Sequence, residues 1–181
     1  MPARALRALT QRALPDDVKL VDAADAPEGF HARHSARARR YAYRLLDHDD
    51  VLWSRFAWHP GTALDGEGLA ASSGPLAGEH DFSAFEAAGS SPVNPVCRVT
   101  CARWTRWEAG WRFDVEADHF LYHMVRNLVG TAIRAQREPD PAAHVAEVLG
   151  SRDRARAGGT SPPQALCLEA VRYGDPMEAS R

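Results

Sequence analysis

The sequence predicts an α+β fold, and three stretches carry that expectation. Residues 40–46 alternate with period two, and so do the paired runs 98–107 and 111–116, as half-buried strands do. Residues 118–134 repeat instead with helical period. At 100° per residue, Phe120, Leu121, Met124, Val125, Leu128, Val129 and Ala132 share one broad apolar face.

A chain of 181 residues, 45% apolar and 25% charged, is long enough for one domain with a proper core. No apolar run reaches membrane-spanning length, and the basic start at Met1 is not followed by the apolar stretch of a signal peptide. The expected compartment is therefore cytoplasmic. A net charge of -2 does not point to nucleic acid, but its distribution does. Residues 31–44 hold Arg33, Arg37, Arg39, Arg40 and Arg44 with His31 and His34, and no acid. Lys19 is the only lysine. Arginine suits bidentate phosphate contacts and stacking; a chain rich in Ala and Arg also follows from biased codon usage, and both accounts stand.

Along the chain, residues 4–12 read as a helical fragment ended by Leu14 and Pro15, and 18–21 as a short strand. After a loop over 22–29, the alternation at 40–46 sends Tyr41, Tyr43 and Leu45 to one side and Arg40, Ala42 and Arg44 to the other. An aromatic face beside an arginine cluster suits holding a base out of its stack while nearby phosphates are neutralised. An edge strand with tyrosines in the core and arginines in water has the same pattern. Pro75 is expected to break or shorten the helix before Leu76, and His80 and Asp81 to cap a turn before Phe82. Residues 86–95 form a Ser/Pro/Gly loop. The runs 98–107 and 111–116 make a hairpin around Glu108-Ala109-Gly110.

Asp118 is the expected N-cap of the central helix. Its polar stripe holds His119, Tyr122, His123, Arg126, Asn127 and Gly130, more specialised than a solvated face. Gly130 costs about 1 kcal/mol against Ala in a helix, so it implies the close approach of another backbone or a ligand. Beyond it, Asp140-Pro141 starts a second helix that Gly150 ends, and 166–173 form a final strand. Cys97 and Cys101 are four residues apart on a strand, roughly 13 Å, too far for a disulfide. His119 with His123, and His31 with His34, lack the third ligand and base of a metal site, so no metal is expected.

Three segments carry a family resemblance. Residues 120–131, F-L-Y-H-M-V-R-N-L-V-G-T, are similar to the F-[LV]-[YH]-[NH]-M-V-R-N-[IL]-V-G segment of TruA-type tRNA pseudouridine synthases. Residues 30–43 resemble the same family's F-H-A-R-x-S-A-x-A-R-R-Y-x-Y, and residues 153–168 its D-R-x-x-A-G-x-T-A-P-x-x-G-L-x-L, with Ala165 where the family generally has Gly. If that position needs a positive φ, Ala165 would strain the turn by roughly 1 to 2 kcal/mol. The resemblance implies a mixed or antiparallel sheet with helices packed on one face, one half of a pseudouridine synthase fold. It further implies a homodimer acting without cofactor on uridines 38 to 40 of tRNA.

By the same resemblance Arg126 pairs with a catalytic Asp, Tyr41 contacts the target uracil, Leu166 or Leu168 lines its pocket, and Arg33, Arg37, Arg39 and Arg40 are candidates for phosphate contact. The family's Asp lies in a G-R-T-D-x-G-V-H loop, and no R-T-D occurs in this sequence. Residues 5–18 resemble the segment that follows that loop. The expected organisation is thus a remnant and connection over 1–29, the C-terminal synthase domain over 30–175, and a tail over 176–181. A non-catalytic RNA-binding remnant and a dimerisation module are the alternatives. An Arg126 buried without its partner would cost about 3 to 5 kcal/mol, or else turn into solvent.

Overall fold

Tyr43, Leu45, Phe113 and Val115 are fully buried strand residues, and the sheet they belong to is the frame of the domain. The computed structural model of the protein describes residues 10–89 and 94–174. It divides into residues up to Ser35 and the unit Ala36–Gly174. The larger unit has five strands, β1 (Ala38–Leu46), β2 (Gly78–Asp81), β3 (Val96–Trp107), β4 (Gly110–Ala117) and β5 (Leu166–Arg172), in the spatial order β2-β3-β4-β1-β5. Every pairing is antiparallel. Three helices, α1 (Gly66–Ser73), α2 (Met124–Ala135) and α3 (Pro141–Ser151), add their buried residues to one core with Tyr43, Leu45, Phe113 and Val115.

The period-two reading of β1 holds. Tyr41 sits opposite Val115 and Tyr43 opposite Phe113 on β4, while Tyr41 and Tyr43 face Leu168 and Leu166 on β5. Paired residues point to the same side, so these side chains share the face that carries the core. The other face holds charge: Arg44 pairs with Glu169 at 3.0 Å, and Arg112 pairs with Asp114 at 2.8 Å and with Glu169 at 3.5 Å. Arg44 and Arg112 therefore stand in an ion-pair network, not in open water.

The helices depart from the sequence reading at their ends. The expected N-cap of α2 at Asp118 lies five residues early, because His123, with φ 57 and ψ 9, is the cap and Met124 the first helical residue. Asp118 instead accepts the backbone N–H groups of Arg98 (3.0 Å) and His119 (2.6 Å), continuing the hairpin's bonding. Leu121 is buried ahead of the helix, so an apolar connector extends the periodic pattern without being helical. The helix α3 begins at the Asp140 cap, whose carboxylate accepts from Ala143 N–H, but ends at Arg152 in the left-handed region and not at Gly150. Pro75 acts as expected: α1 stops at Ser73, and Gly74–Leu76 form a 3-10 turn.

Two further expectations fail. Ala165 ends the 3-10 turn Pro163–Ala165 and is buried, and its φ is not positive, since His123 and Arg152 are the only non-glycine residues with positive φ among those described. The methyl group packs in the core without strain. In the smaller unit, 18–21 form no strand; the Gln11 side chain donates to Val18 O at 3.3 Å and accepts from Leu20 N–H at 2.7 Å. Of the helical fragment 4–12, residues 10–12 are helical and the rest lies outside the described residues, as do 90–93 of the loop 86–95. The three cysteines are free.

Asp81 does cap the turn before the core. Its carboxylate accepts from the Ser83 hydroxyl (2.5 Å) and N–H (2.9 Å), and Arg152 pairs with its second oxygen at 3.1 Å. The Ser83 hydroxyl, then the Ser83 N–H and Arg152, outweigh partial burial and hold this carboxyl below its ordinary range. A depressed folded pKa means stability that is present above the unfolded value of about 3.9 and lost as pH falls through the folded value. Urea unfolding of wild type and Asp81→Asn at pH 6 and pH 3 should show the wild type losing more stability on acidification; parallel losses would contradict the assignment.

Candidate active site

Arg126 projects from the first turn of α2, and its position is set by the segment 153–165 that lies against that helix. Backbone meets backbone here. A Cβ on Gly130 would sit 1.8 Å from Gly159 O, and one on Gly158 would sit 2.4 Å from the Gly130 carbonyl. The glycine on the polar stripe is thus explained by the approach of a second backbone.

Side chains fasten the same contact. Asn127 is fully buried; its amide donates to Phe85 O at 2.7 Å, and its Oδ1 accepts from Thr160 Oγ1 at 2.7 Å and from Arg154 Nη2 at 3.0 Å. Thr131 Oγ1 donates to Asn127 O at 2.7 Å and accepts Gly158 N–H at 2.9 Å. Arg154 also donates to Gly158 O at 3.0 Å. From β1, the Tyr43 hydroxyl donates to Pro162 O at 2.8 Å. The three resembling segments, distant in sequence, therefore converge on one place.

Arg126 is held at that junction. Its Nε donates to Ser161 O at 2.5 Å, and Ser161 N–H returns a bond to Arg126 O at 3.3 Å. The side chain is half-buried and forms no ion pair among the described residues. The expected choice between burial and rotation into solvent resolves to a third arrangement: one edge of the guanidinium is bonded and the Nη end carries no carboxylate. Its charge is felt nearby. Burial raises the Tyr43 hydroxyl pKa, with the Ser161 hydroxyl and then the Arg126 charge partly offsetting it. Desolvation, then Arg126, lowers that of His123.

Tyr41 and Leu168 are cross-strand neighbours on the same face, Tyr41 half-buried against the edge of Phe120 at 5.1 Å and Leu168 49% exposed. Leu166 pairs with Tyr43 and is half-buried. Arg126, Tyr41, Leu166 and Leu168 thus share the helix-bearing face. The basic run does not stay together. Arg39 lies on the Tyr41 side, where its Nη1 bonds Ala36 O (3.1 Å) and Asp118 O (2.5 Å); Arg40 points to the opposite side, with its Nε buried and unbonded. Arg37 is exposed ahead of β1, and Arg33 is exposed in the smaller unit.

Sequence reasoning gave no role to Asn127, Thr131, Arg154, Thr160 and Ser161, and it placed Tyr43 on the aromatic face without its bond to Pro162. A polar Asn beside apolar helix positions and the Gly158-Gly159 pair were the available signals. One group of metal-capable donors occurs among the described residues, Cys97, Asp118 and His119. It suits a metal poorly. Both ring nitrogens of His119 already face oxygens, Asp118 Oδ1 at 3.0 Å and Asn94 O at 2.9 Å, and the Cys97 thiol is pushed up to about 12 by burial and neighbouring acids. The pairing of His119 with His123 does not arise, because His119 precedes the helix.

Residues 74–174 match the family model described as tRNA pseudouridine synthase. A tRNA pseudouridine synthase A of Thermoanaerobacter sp. (strain X514) is 36% identical over 175 residues, covering 96% of this chain and 72% of the relative. Proteins of the same name from Myxococcus xanthus (42% over 166 residues; 90% and 62%) and Variovorax paradoxus (strain S110) (38% over 187; 94% and 67%) match similarly. The chain spans between 62% and 72% of the length of these three curated relatives.

The junction makes two expectations measurable by denaturation. Gly130→Ala should destabilise by about 3 kcal/mol or more, since backbone must move, whereas Gly150→Ala, with nothing within 4 Å of the new Cβ, should stabilise by about 0.5 kcal/mol. Asn127→Ala strands a buried carbonyl and two donors, and should cost about 2 to 4 kcal/mol; a loss under 1 would mean the junction does not depend on it.

Proposed function

Because the chain belongs to the tRNA pseudouridine synthase family, we propose that it supplies the arginine and aromatic side of a uridine pocket that isomerises uridine to pseudouridine at positions 38 to 40 of tRNA. The observation that carries this reading is Arg126, anchored through Nε with its Nη end lacking any carboxylate among the described residues. With Nε engaged, the pairing left to a carboxylate is end-on, through Nη1 and Nη2 together.

The chemistry requires such a partner. The N-glycosidic bond breaks, uracil turns over and its C5 joins the ribose, which calls for a positioned nucleophilic or basic carboxylate and a base flipped from its helix. Arg126 would keep that carboxylate ionised and aimed. Tyr41 would stack on the uracil, with Leu166 and Leu168 lining the pocket and Arg33, Arg37, Arg39 and Arg40 as phosphate candidates. Since Arg39 and Arg40 leave β1 on opposite sides, Arg37 and Arg39 are the better placed for RNA bound at Tyr41. No R-T-D-x-G-V-H occurs in the sequence, so the carboxylate is assigned to a segment outside these residues. A homodimer and a cytoplasmic setting belong to the same proposal; among the described residues no helix is long and apolar enough to cross a membrane.

Tritium release from tRNA labelled at uridine C5 tests the assignment. The 181-residue chain should bind tRNA with steep salt dependence and release no tritium by itself. Release abolished by Arg126→Ala would move the nucleophile to an Asp of this chain, and absence of tRNA binding would overturn the reading.

A further inference from the structure

We propose that Tyr122, backed by His123, is a stacking platform for an unpaired RNA base next to the nucleotide held at Tyr41 and Arg126. This rests on the RNA-binding reading above. Tyr122 is 48% exposed, large for an aromatic ring, and lies nearly parallel to the His123 imidazole with centroids 3.9 Å apart and planes at 23°. One ring face is therefore covered by a second ring, and the exposed remainder is offered to solvent.

The platform is fixed from both sides. Tyr122 O accepts the Ala87 N–H at 3.0 Å, and His123 O accepts the Asn127 N–H at 3.0 Å, which ties the pair to the start of α2. His123 sits at φ 57, a left-handed backbone that is costly for any residue with a side chain. Such backbone persists where the surroundings over-determine it, and it concentrates at ligand sites. Here it turns the chain so that Tyr122 and His123 stack immediately before the helix carrying Arg126.

The neighbours specify the ligand. Two residues before Tyr122, Phe120 packs on Tyr41; four residues after it comes Arg126. A planar group on Tyr122 would thus adjoin the candidate uridine pocket. Burial and the Arg126 charge both favour neutral His123, so the platform attracts by stacking and not by charge. Every base has a π face, and stacking of this kind is tolerant of sequence. The ligand class is an unpaired nucleobase flanking the target.

The experiment is equilibrium binding of an anticodon stem-loop RNA, titrated across salt, to wild type, Tyr122→Ala, Tyr122→Phe and Arg37→Ala, with thermal unfolding confirming that each variant folds. Tyr122→Ala should weaken binding roughly 5- to 100-fold with an unchanged salt slope, and Tyr122→Phe should stay within about twofold. Arg37→Ala should instead reduce the slope. If wild type binds with a steep slope and Tyr122→Ala binds equally well, or if Tyr122→Ala changes the slope, the platform is refuted while RNA binding stands. If wild type binds no RNA, both fall.

Discussion

The contact between the Gly130 turn of α2 and the Gly158-Gly159 backbone is the constraint on which the rest of the site depends. Backbone approaching backbone leaves no room for a Cβ on Gly130 or on Gly158, so the relative position of helix and segment is set by sterics and not by adjustable side chains. Close packing of this kind has low compressibility and transmits strain. The polar bonds of Asn127 and Thr131 add direction. They satisfy Thr160, Arg154 and Gly158 from inside the core, where an unmade hydrogen bond is expensive.

Arg126 inherits its geometry from that contact. A free arginine samples many rotamers and has about 2 kcal/mol of side-chain entropy to lose. Bonding Nε to Ser161 O, with Ser161 N–H bonded back to the Arg126 carbonyl, removes much of that freedom before any ligand arrives. Tyr43 joins the same segment to β1 through Pro162, so the strand bearing Tyr41 and the helix bearing Arg126 are registered through one short loop. Preorganisation of this kind leaves the guanidinium little ordering cost when it meets a ligand.

What the sequence revealed depended on whether one period could explain it. The strands β1, β3 and β4 were legible because one face meets the core and the other meets charge, giving a clean alternation. Gly130 was legible as a place of close approach, although the approaching partner, Gly159, lies 29 positions further along the sequence and could not be named. The start of α2 was not legible. Phe120 and Leu121 pack against the core from a connector, and an apolar residue in a connector adds to a helical pattern as well as one in the helix does. The arginine run 31–44 read as one patch, yet a strand turns successive side chains to opposite faces, which separates Arg39 from Arg40. The role of Tyr43 was hidden because its partner is a backbone carbonyl, Pro162 O, which leaves no trace in residue identity, and that of Asn127 because its amide meets Phe85 O and its side-chain partners Arg154 and Thr160 lie far along the sequence.

The charge balance gains meaning from this geometry. A chain of net charge -2 does not attract a polyanion through its overall field, and many of its arginines face acids: Arg44 and Arg112 on Glu169 and Asp114, Arg98 on Glu79, Arg106 on Asp47, Arg152 on Asp81, Arg156 on Glu147 and Arg172 on Glu116. Those pairs cancel locally and contribute little beyond a Debye length. Arg126, like Arg154, is outside these pairs: its Nε bonds a neutral carbonyl, which orients the guanidinium, and among the described residues it forms no ion pair. A cation held in place and not neutralised is what an incoming carboxylate or phosphate oxygen can recognise. What this surface offers an anion is therefore set by how each arginine is paired, and not by how many arginines the chain contains.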